Sequence, residues 1–392
     1  MSKLLSRQSV RDLCLGLALL LAAMALMVWP QETIEAAREG LTLCYNVIIP
    51  SLFPFFVLSA LLVNLGLASY LGRGLEKMMR PLFRVPGCCA PAFVLGFIGG
   101  YPVGAKTALA LYQKGMCSRT EAERLLAFCN NSGPAFIFGV VGAGVFASSK
   151  AGLLLYLAHA AASICIGFLF RFYRGAESRN NRPIPHFEAE RFSVAFTEAV
   201  KNSFLSTLNI CAFVVFFTIV IRLLFLCGLL PGLAALLGCL FTPLGLSQIW
   251  AERLLTGILE LSSGVWSLSG PGSLAGRMSM AAFMLGWAGL SVHCQVLSFI
   301  GGSDLSVRTY IAGKFLHGGL SALIIAGLTR LFPIKAPVSS ILAEQVEGIA
   351  GLDFSTALTI STVAAWVVWL LFFAAAWIAA RKMSRKRRRA VV

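Results

Sequence analysis

The sequence predicts an all-α polytopic membrane protein made of two inverted repeats with broken helices and re-entrant hairpins, crossing the bilayer about eight times. Three observations carry this. With 58% apolar and 13% charged residues and a mean hydropathy of +0.81, the 392-residue chain has too little polar surface for a water-soluble globule, so lipid must surround most of it. A hydrocarbon core about 30 Å thick needs roughly 20 apolar residues per helix, and runs of that length occur, most clearly Leu13 to Trp29 and Ala357 to Ala380. The third observation is an internal repeat: features of one half recur in the same order in the other.

Taken in order, residues 1–39 form an N-terminal span and a short external loop. Lys3, Arg7 and Arg11 ahead of Leu13 have the charge layout of a signal peptide, but the apolar run is long and no small-residue cleavage site follows, so an uncleaved span is expected. Residues 40–173 make the first repeat, 174–200 a basic cytoplasmic linker, 201–332 the second repeat, 333–355 an external loop, and 356–392 a last span with a basic cytoplasmic tail. Gly66 and Pro81 pair with Gly228 and Pro243 at a common offset of 162 residues. At slightly smaller offsets, LGFIGGYPVG (Leu95 to Gly104) pairs with TGILELSSG (Thr256 to Gly264), and NNSGPAF (Asn130 to Phe136) with GLSVHCQ (Gly289 to Gln295). Each half is read as a spanning helix, an interfacial helix, a Gly-interrupted hairpin and two further spans. Three crossings per half invert the second half, and the flanking spans leave both termini in the cytoplasm. The hairpins, 88–112 and 249–271, could instead cross the bilayer.

The formal charge of +16 does not point to nucleic acid, because the basic residues collect in loops such as Arg73 to Arg84, Arg171 to Arg182 and Arg381 to Arg389. Of 33 Lys and Arg, only Arg38, Lys150, Arg277 and Lys335 fall in segments assigned to the outside, as positive-inside charge bias requires. The eleven cysteines lie mostly in apolar runs without a paired C-x-x-C set, which argues for buried thiols rather than disulfides. No H-E-x-x-H or comparable spacing occurs, so neither a metal nor a cofactor is expected.

Irregular backbone at membrane depth is tolerated only where protein or a water-filled cavity surrounds it. Two broken segments therefore mark a candidate site: GGYPVGAK, with Gly99, Gly100, Tyr101, Pro102, Gly104 and Lys106, and the stretch with Asn130, Asn131 and Ser132 before a Gly-Pro pair. Their counterparts supply Glu260, Ser262, Ser263, Ser291, His293 and Gln295. Plainer roles compete. The glycines can serve close packing, and Asn130, Asn131 and Ser132 can bond between helices. Glu260 can pair with Arg253 or Lys106, and His159, His293 and His317 read more readily as packing or hydrogen-bonding residues than as ligands. Lys106, the only basic residue adjoining the GGYPVG break in sequence, is the hardest to explain structurally, since an ammonium at the bilayer centre costs at least about 2.5 to 3.5 kcal/mol.

PSLFPFFVLSALL (Pro50 to Leu62), GFIGGYPVGAKTA (Gly96 to Ala108), EAERLLAFCNNSGPAFIFGVVG (Glu121 to Gly142) and GWAGLSVHCQVLSF (Gly286 to Phe299) resemble the YlbJ family of sporulation integral membrane proteins, also called SpoVV. The resemblance runs through most of the chain and implies a Gate, or nucleoside-recognition, domain similar to repeats of concentrative nucleoside transporters. It also implies movement of a small anionic substrate, dipicolinate, from mother cell toward forespore across the outer forespore membrane. An oligomer is compatible with it. Two rival classes remain, a nucleoside or nucleobase carrier and a non-transporting spore-envelope assembly protein. An intramembrane enzyme lacks support, because no nucleophile-base pair appears in the spans.

Overall fold

The computed structural model describes residues 7–174, 191–241 and 247–332, and among these every regular element is helical. The expected last span at 357–380, the loop at 333–355 and most of the basic linker lie outside the described residues. Helix α1 (Arg7–Val28) exposes Leu13, Leu19 and Met27 to the surroundings, as a lipid-facing span should. Five helical stretches are long and apolar enough to cross a membrane among the described residues: 10–28, 149–170, 192–226, 274–300 and 307–331.

The segments expected to supply two further crossings are interrupted helices. The first runs through α2 (Pro30–Leu43), a π-helical turn at Cys44–Ile48 and α3 (Ile49–Asn64), with Pro54 inside α3, where a proline removes a backbone donor. The second is α7 (Arg119–Leu126), which unwinds over residues 127–133 and resumes as a π-helical stretch, Ala135–Val145. Helix α7 begins with a capping box in which Ser118 and Glu121 satisfy each other's backbone N–H groups.

The order of helices recurs along the chain. The stretch Pro30 to Asn64 corresponds to α9 (Phe192–Leu226), and amphipathic α4 (Leu67–Phe83) to α10 (Leu229–Phe241), at the spacing that separates Gly66 from Gly228. Both of those glycines turn the chain with positive φ, 69° and 74°, a conformation that side chains with a Cβ resist. Helix α4 buries Ala68, Leu75, Met79 and Phe83 on one face, and its axis meets the following helix at 93°.

Each half then makes a helical hairpin, α5 (Ala90–Gly99) with α6 (Val103–Gln113), and α11 (Gln248–Leu259) with α12 (Leu261–Trp266). The chain reverses in both. A Cβ on Gly96 would lie 3.3 Å from the Cα of Gly104, and one on Gly264 only 2.2 Å from the Cα of Gly257. In a continuous helix such residues would be separated by about two turns, roughly 11 Å. Helices α8 (Ser149–Phe170), α13 (Leu274–Trp287), α14 (Gly289–Ile300) and α15 (Val307–Leu331) complete the described chain.

Two packed groups result. Helices α2 and α3 lie along α9, with Cys44, Leu52, Phe56, Ile210 and Val214 buried there against Leu95 and Val103 of the first hairpin. The larger core gathers α8, α13 and α15 around the hairpins and α7. Polar contacts tie the groups as well: the Lys106 ammonium donates to Ser206 Oγ at 2.6 Å, Asn209 donates to Ser298 Oγ at 2.8 Å, and the Ser59 and Thr107 hydroxyls bond to each other.

Candidate functional site: a buried cation between hairpin tip and helix break

The tip of the first hairpin is the sharp turn Gly100–Tyr101–Pro102, with a cis Tyr101–Pro102 peptide and Gly100 at φ 78°. It rests on the unwound part of the α7 segment, where a Cβ on Gly100 would come within 3.0 Å of the Gly133 nitrogen. Gly104 packs as closely, since a Cβ there would lie 2.0 Å from the Cys129 carbonyl oxygen. Gly99 faces Phe55 and Val103. Unwinding turns backbone carbonyls and N–H groups away from helical partners, and buried groups of this kind need others.

Those partners come from α8 and α15. Lys314 is fully buried, and its Nζ donates to Tyr101 Oη at 2.7 Å and to the Asn130 carbonyl at 2.9 Å, with His317 Nδ1 at 3.4 Å. The Tyr101 hydroxyl in turn donates to the Leu285 carbonyl, and the ammonium sits 4.6 Å from the Tyr101 ring centroid. The Ser132 N–H donates to His159 Nε2 at 3.1 Å, so that nitrogen carries no proton and His159 is neutral. His317 Nε2 faces the His159 carbonyl at 3.0 Å and must donate to it, leaving Nδ1 as an acceptor toward Lys314. The two imidazoles lie 4.3 Å apart, centroid to centroid. His293 Nδ1 pairs with the Tyr310 hydroxyl at 3.0 Å, and the Asn130 amide lies beside that hydroxyl without a well-aligned hydrogen bond.

Several buried polar atoms in this cluster have no protein partner: both side-chain atoms of Asn130, Asn131 Oδ1, His159 Nδ1 and His293 Nε2. Asn131 uses its Nδ2 to cap the Phe128 carbonyl at 2.9 Å. Unpaired buried donors and acceptors cost about 1 to 3 kcal/mol each, a cost that a polar ligand reaching them would remove.

The structure thus joins Tyr101, Asn130 and Ser132 into one network through Lys314, His317 and His159. Gly99, Gly100, Pro102, Gly104 and Asn131 lie at the tip and break, with the His293–Tyr310 pair beside the network. Lys106, Glu260, Ser262, Ser263, Ser291 and Gln295 are set apart from it. Lys106 contacts Ser206 and stands over the Phe56 ring at 4.5 Å and the Phe299 ring at 5.9 Å. Glu260 is neither a partner of Arg253 nor of Lys106; its two carboxylate oxygens accept from the N–H groups of Ser262 at 3.0 Å and Ser263 at 2.7 Å, capping α12. The Arg253 guanidinium instead stacks over Trp250. Ser291 and Gln295, both buried, bond to each other at 3.4 Å.

Lys106 adjoins the GGYPVG break in sequence, but Lys314, 213 residues beyond Tyr101, touches it in space. Tyr310, Lys314 and His317 follow one another by one turn of α15, with all three side chains buried. An ionisable pair inside an apolar span was itself a signal in the sequence.

Residues 46–174 match the family profile described as nucleoside recognition, Gate. The chain is 32% identical over 315 residues to the sporulation integral membrane protein YlbJ of Bacillus subtilis (strain 168), covering 76% of this chain and 77% of that protein. Among solved structures, it is similar to CNTnw in an outward-facing state, with a TM-score of 0.45 and 14% identity over 82% of this chain and 88% of that one. For CNTnw in an inward-facing substrate-bound state the TM-score is 0.42 at 14% identity, over 85% and 88% of the two chains. At that level of identity to YlbJ, spread over three quarters of both sequences, the chain belongs to the YlbJ family of sporulation integral membrane proteins.

Proposed function

We propose that this membrane protein is a carrier of a small organic anion, dipicolinate, moved from mother cell toward forespore across the outer forespore membrane, with two inverted halves and both termini in the cytoplasm. The observation that carries the reading is the Lys314 ammonium, fully buried and held by neutral acceptors, with no carboxylate partner among the described residues. Lys106, half-buried, is a second cation without an acid partner among the described residues, with a hydroxyl and two rings as partners. Buried charges are ordinarily paired, so two lysines without acids make this interior a place where a dicarboxylate recovers part of its lost hydration. The unpartnered Asn130, Asn131 and His159 atoms add hydrogen-bonding capacity beside Lys314. A dianion leaving a negative interior gains about 2.3 kcal/mol per charge per 100 mV, roughly 4.6 in all, which is sufficient drive for export from the cytosol.

A nucleoside carrier is the second reading, favoured by the family profile over residues 46–174. An uncharged ligand gives no return for these two cations without acid partners. Thermal unfolding of the purified protein separates the readings: dipicolinate should raise Tm and nucleosides should not, because a ligand bound to the native state alone stabilises it by mass action. Stabilisation by nucleosides only would reverse the assignment, and none by either would favour an assembly role.

A further inference from the structure

Three acceptors converge on Lys314 Nζ, and each has its own proton committed elsewhere. Tyr101 Oη donates its proton to the Leu285 carbonyl, His317 carries its proton on Nε2 toward the His159 carbonyl, and the Asn130 carbonyl has none. A neutral amine has two N–H bonds and a lone pair, so it would face one of these acceptors lone pair to lone pair. Three N–H bonds match three acceptors, which is the arrangement of an ammonium. The Asn130 carbonyl belongs to the stretch just past the C-terminal end of α7, where backbone carbonyls carry partial negative charge. Carbonyls exposed at a broken helix are the usual receptors for a coupling cation in carriers of this architecture.

We propose that Lys314 is a tethered cation: its ammonium occupies the position at the hairpin tip and helix break that a free inorganic cation would otherwise take, so that transport by this chain needs no sodium. The proposal rests on the carrier reading for its transport consequence, but not for its structural one. Lys314 is covalently anchored in α15, while Tyr101 belongs to the hairpin and Asn130 to the break, so one ammonium joins three separate segments. A diffusible ion in that place would join them only while bound.

The test uses the full chain, purified and reconstituted, in choline, sodium and methylammonium chloride at equal ionic strength. Wild-type Tm should be the same in all three. Lys314→Ala opens the space and strands the acceptors, so its Tm should fall in choline and recover in part with methylammonium or sodium. Lys314→Met fills the same space with an apolar stem, and no cation should restore it. Equal responses of the two variants, or no response in Lys314→Ala, would overturn the proposal. Failure of Lys314→Ala to accumulate without methylammonium, with recovery when it is added, supports it. If neither variant folds in any medium, wild-type uptake decides: equal rates in sodium and choline are expected, and uptake that stops without sodium contradicts the tethered cation. Cation-specific recovery of Lys314→Ala together with absence of dipicolinate uptake in every medium would refute the carrier reading while leaving the cation site standing.

Discussion

The two halves of the chain share a helix order but equip their breaks differently. In the first half the backbone is unwound over 127–133, and the hairpin tip at Gly100 meets it at Gly133. In the second half α13 and α14 are separated at Ala288 and Gly289, with φ of 80° and 81°, and the hairpin meets that point at Glu260. The long break leaves a carbonyl, at Asn130, that a lysine from α15 satisfies; in the second half the N–H groups to be satisfied lie at the hairpin tip itself, at the start of α12, and the hairpin's own Glu260 caps them. The common scaffold places polar atoms at both hairpin tips, met by a lysine from α15 in the first half and by the hairpin's own carboxylate in the second.

The largest expected contrast is all-or-none. Single-cysteine labelling in a cysteine-free background should find position 115, just after the first hairpin, cytoplasmic and position 274, just after the second, external. Labelling of both from one side would show that the halves are not inverted. Next in size is Lys314→Met, which strands three acceptors at about 1 to 3 kcal/mol each, offset in part by the desolvation cost of the removed charge. Transport should be lost and Tm lowered. An unchanged Tm would mean that the first break does not depend on its lysine.

How much of this was legible in the sequence differs between the halves in the same way. Spans such as 10–28 and 307–331 announce themselves by length and apolarity, and Gly66 and Gly228 mark corresponding turns because positive φ narrows the choice of residue. Gly100, Tyr101 and Asn130 to Ser132 stood out because Gly, Pro and Asn interrupt apolar runs, and all of them lie at the hairpin tip or the break. The sequence marks Lys314 only as a cation inside an apolar span; its contacts with Tyr101 and Asn130 span 213 and 184 residues, so nothing local ties it to the break. Glu260 reads from the sequence as a candidate site residue, with an ion pair to Arg253 or Lys106 as the plainer role, whereas its position two and three residues ahead of Ser262 and Ser263 fits it for capping.

Smaller effects sharpen the contrast. Asn131→Ala removes an unpartnered buried oxygen together with the Phe128 cap, and transport should weaken several-fold while expression persists. Unchanged transport would assign Asn131 to packing alone. Smallest is Glu260→Gln, which keeps one cap acceptor and loses the charge, at about 1 kcal/mol of stability. Because Glu260 does not pair with Lys106, the stability losses of Glu260→Gln and Lys106→Met should add to within about 0.5 kcal/mol in the double variant. Recovery of Tm in that double variant would restore the ion pair and contradict the cap.

The measurement that bears most directly on the central claim is uptake of labelled dipicolinate and labelled nucleosides into vesicles containing only the purified protein, run beside vesicles containing Lys314→Met. The account predicts dipicolinate uptake by the wild type, none by the variant, and no nucleoside uptake by either. Nucleoside uptake without dipicolinate uptake, or dipicolinate uptake that survives Lys314→Met undiminished, would contradict it.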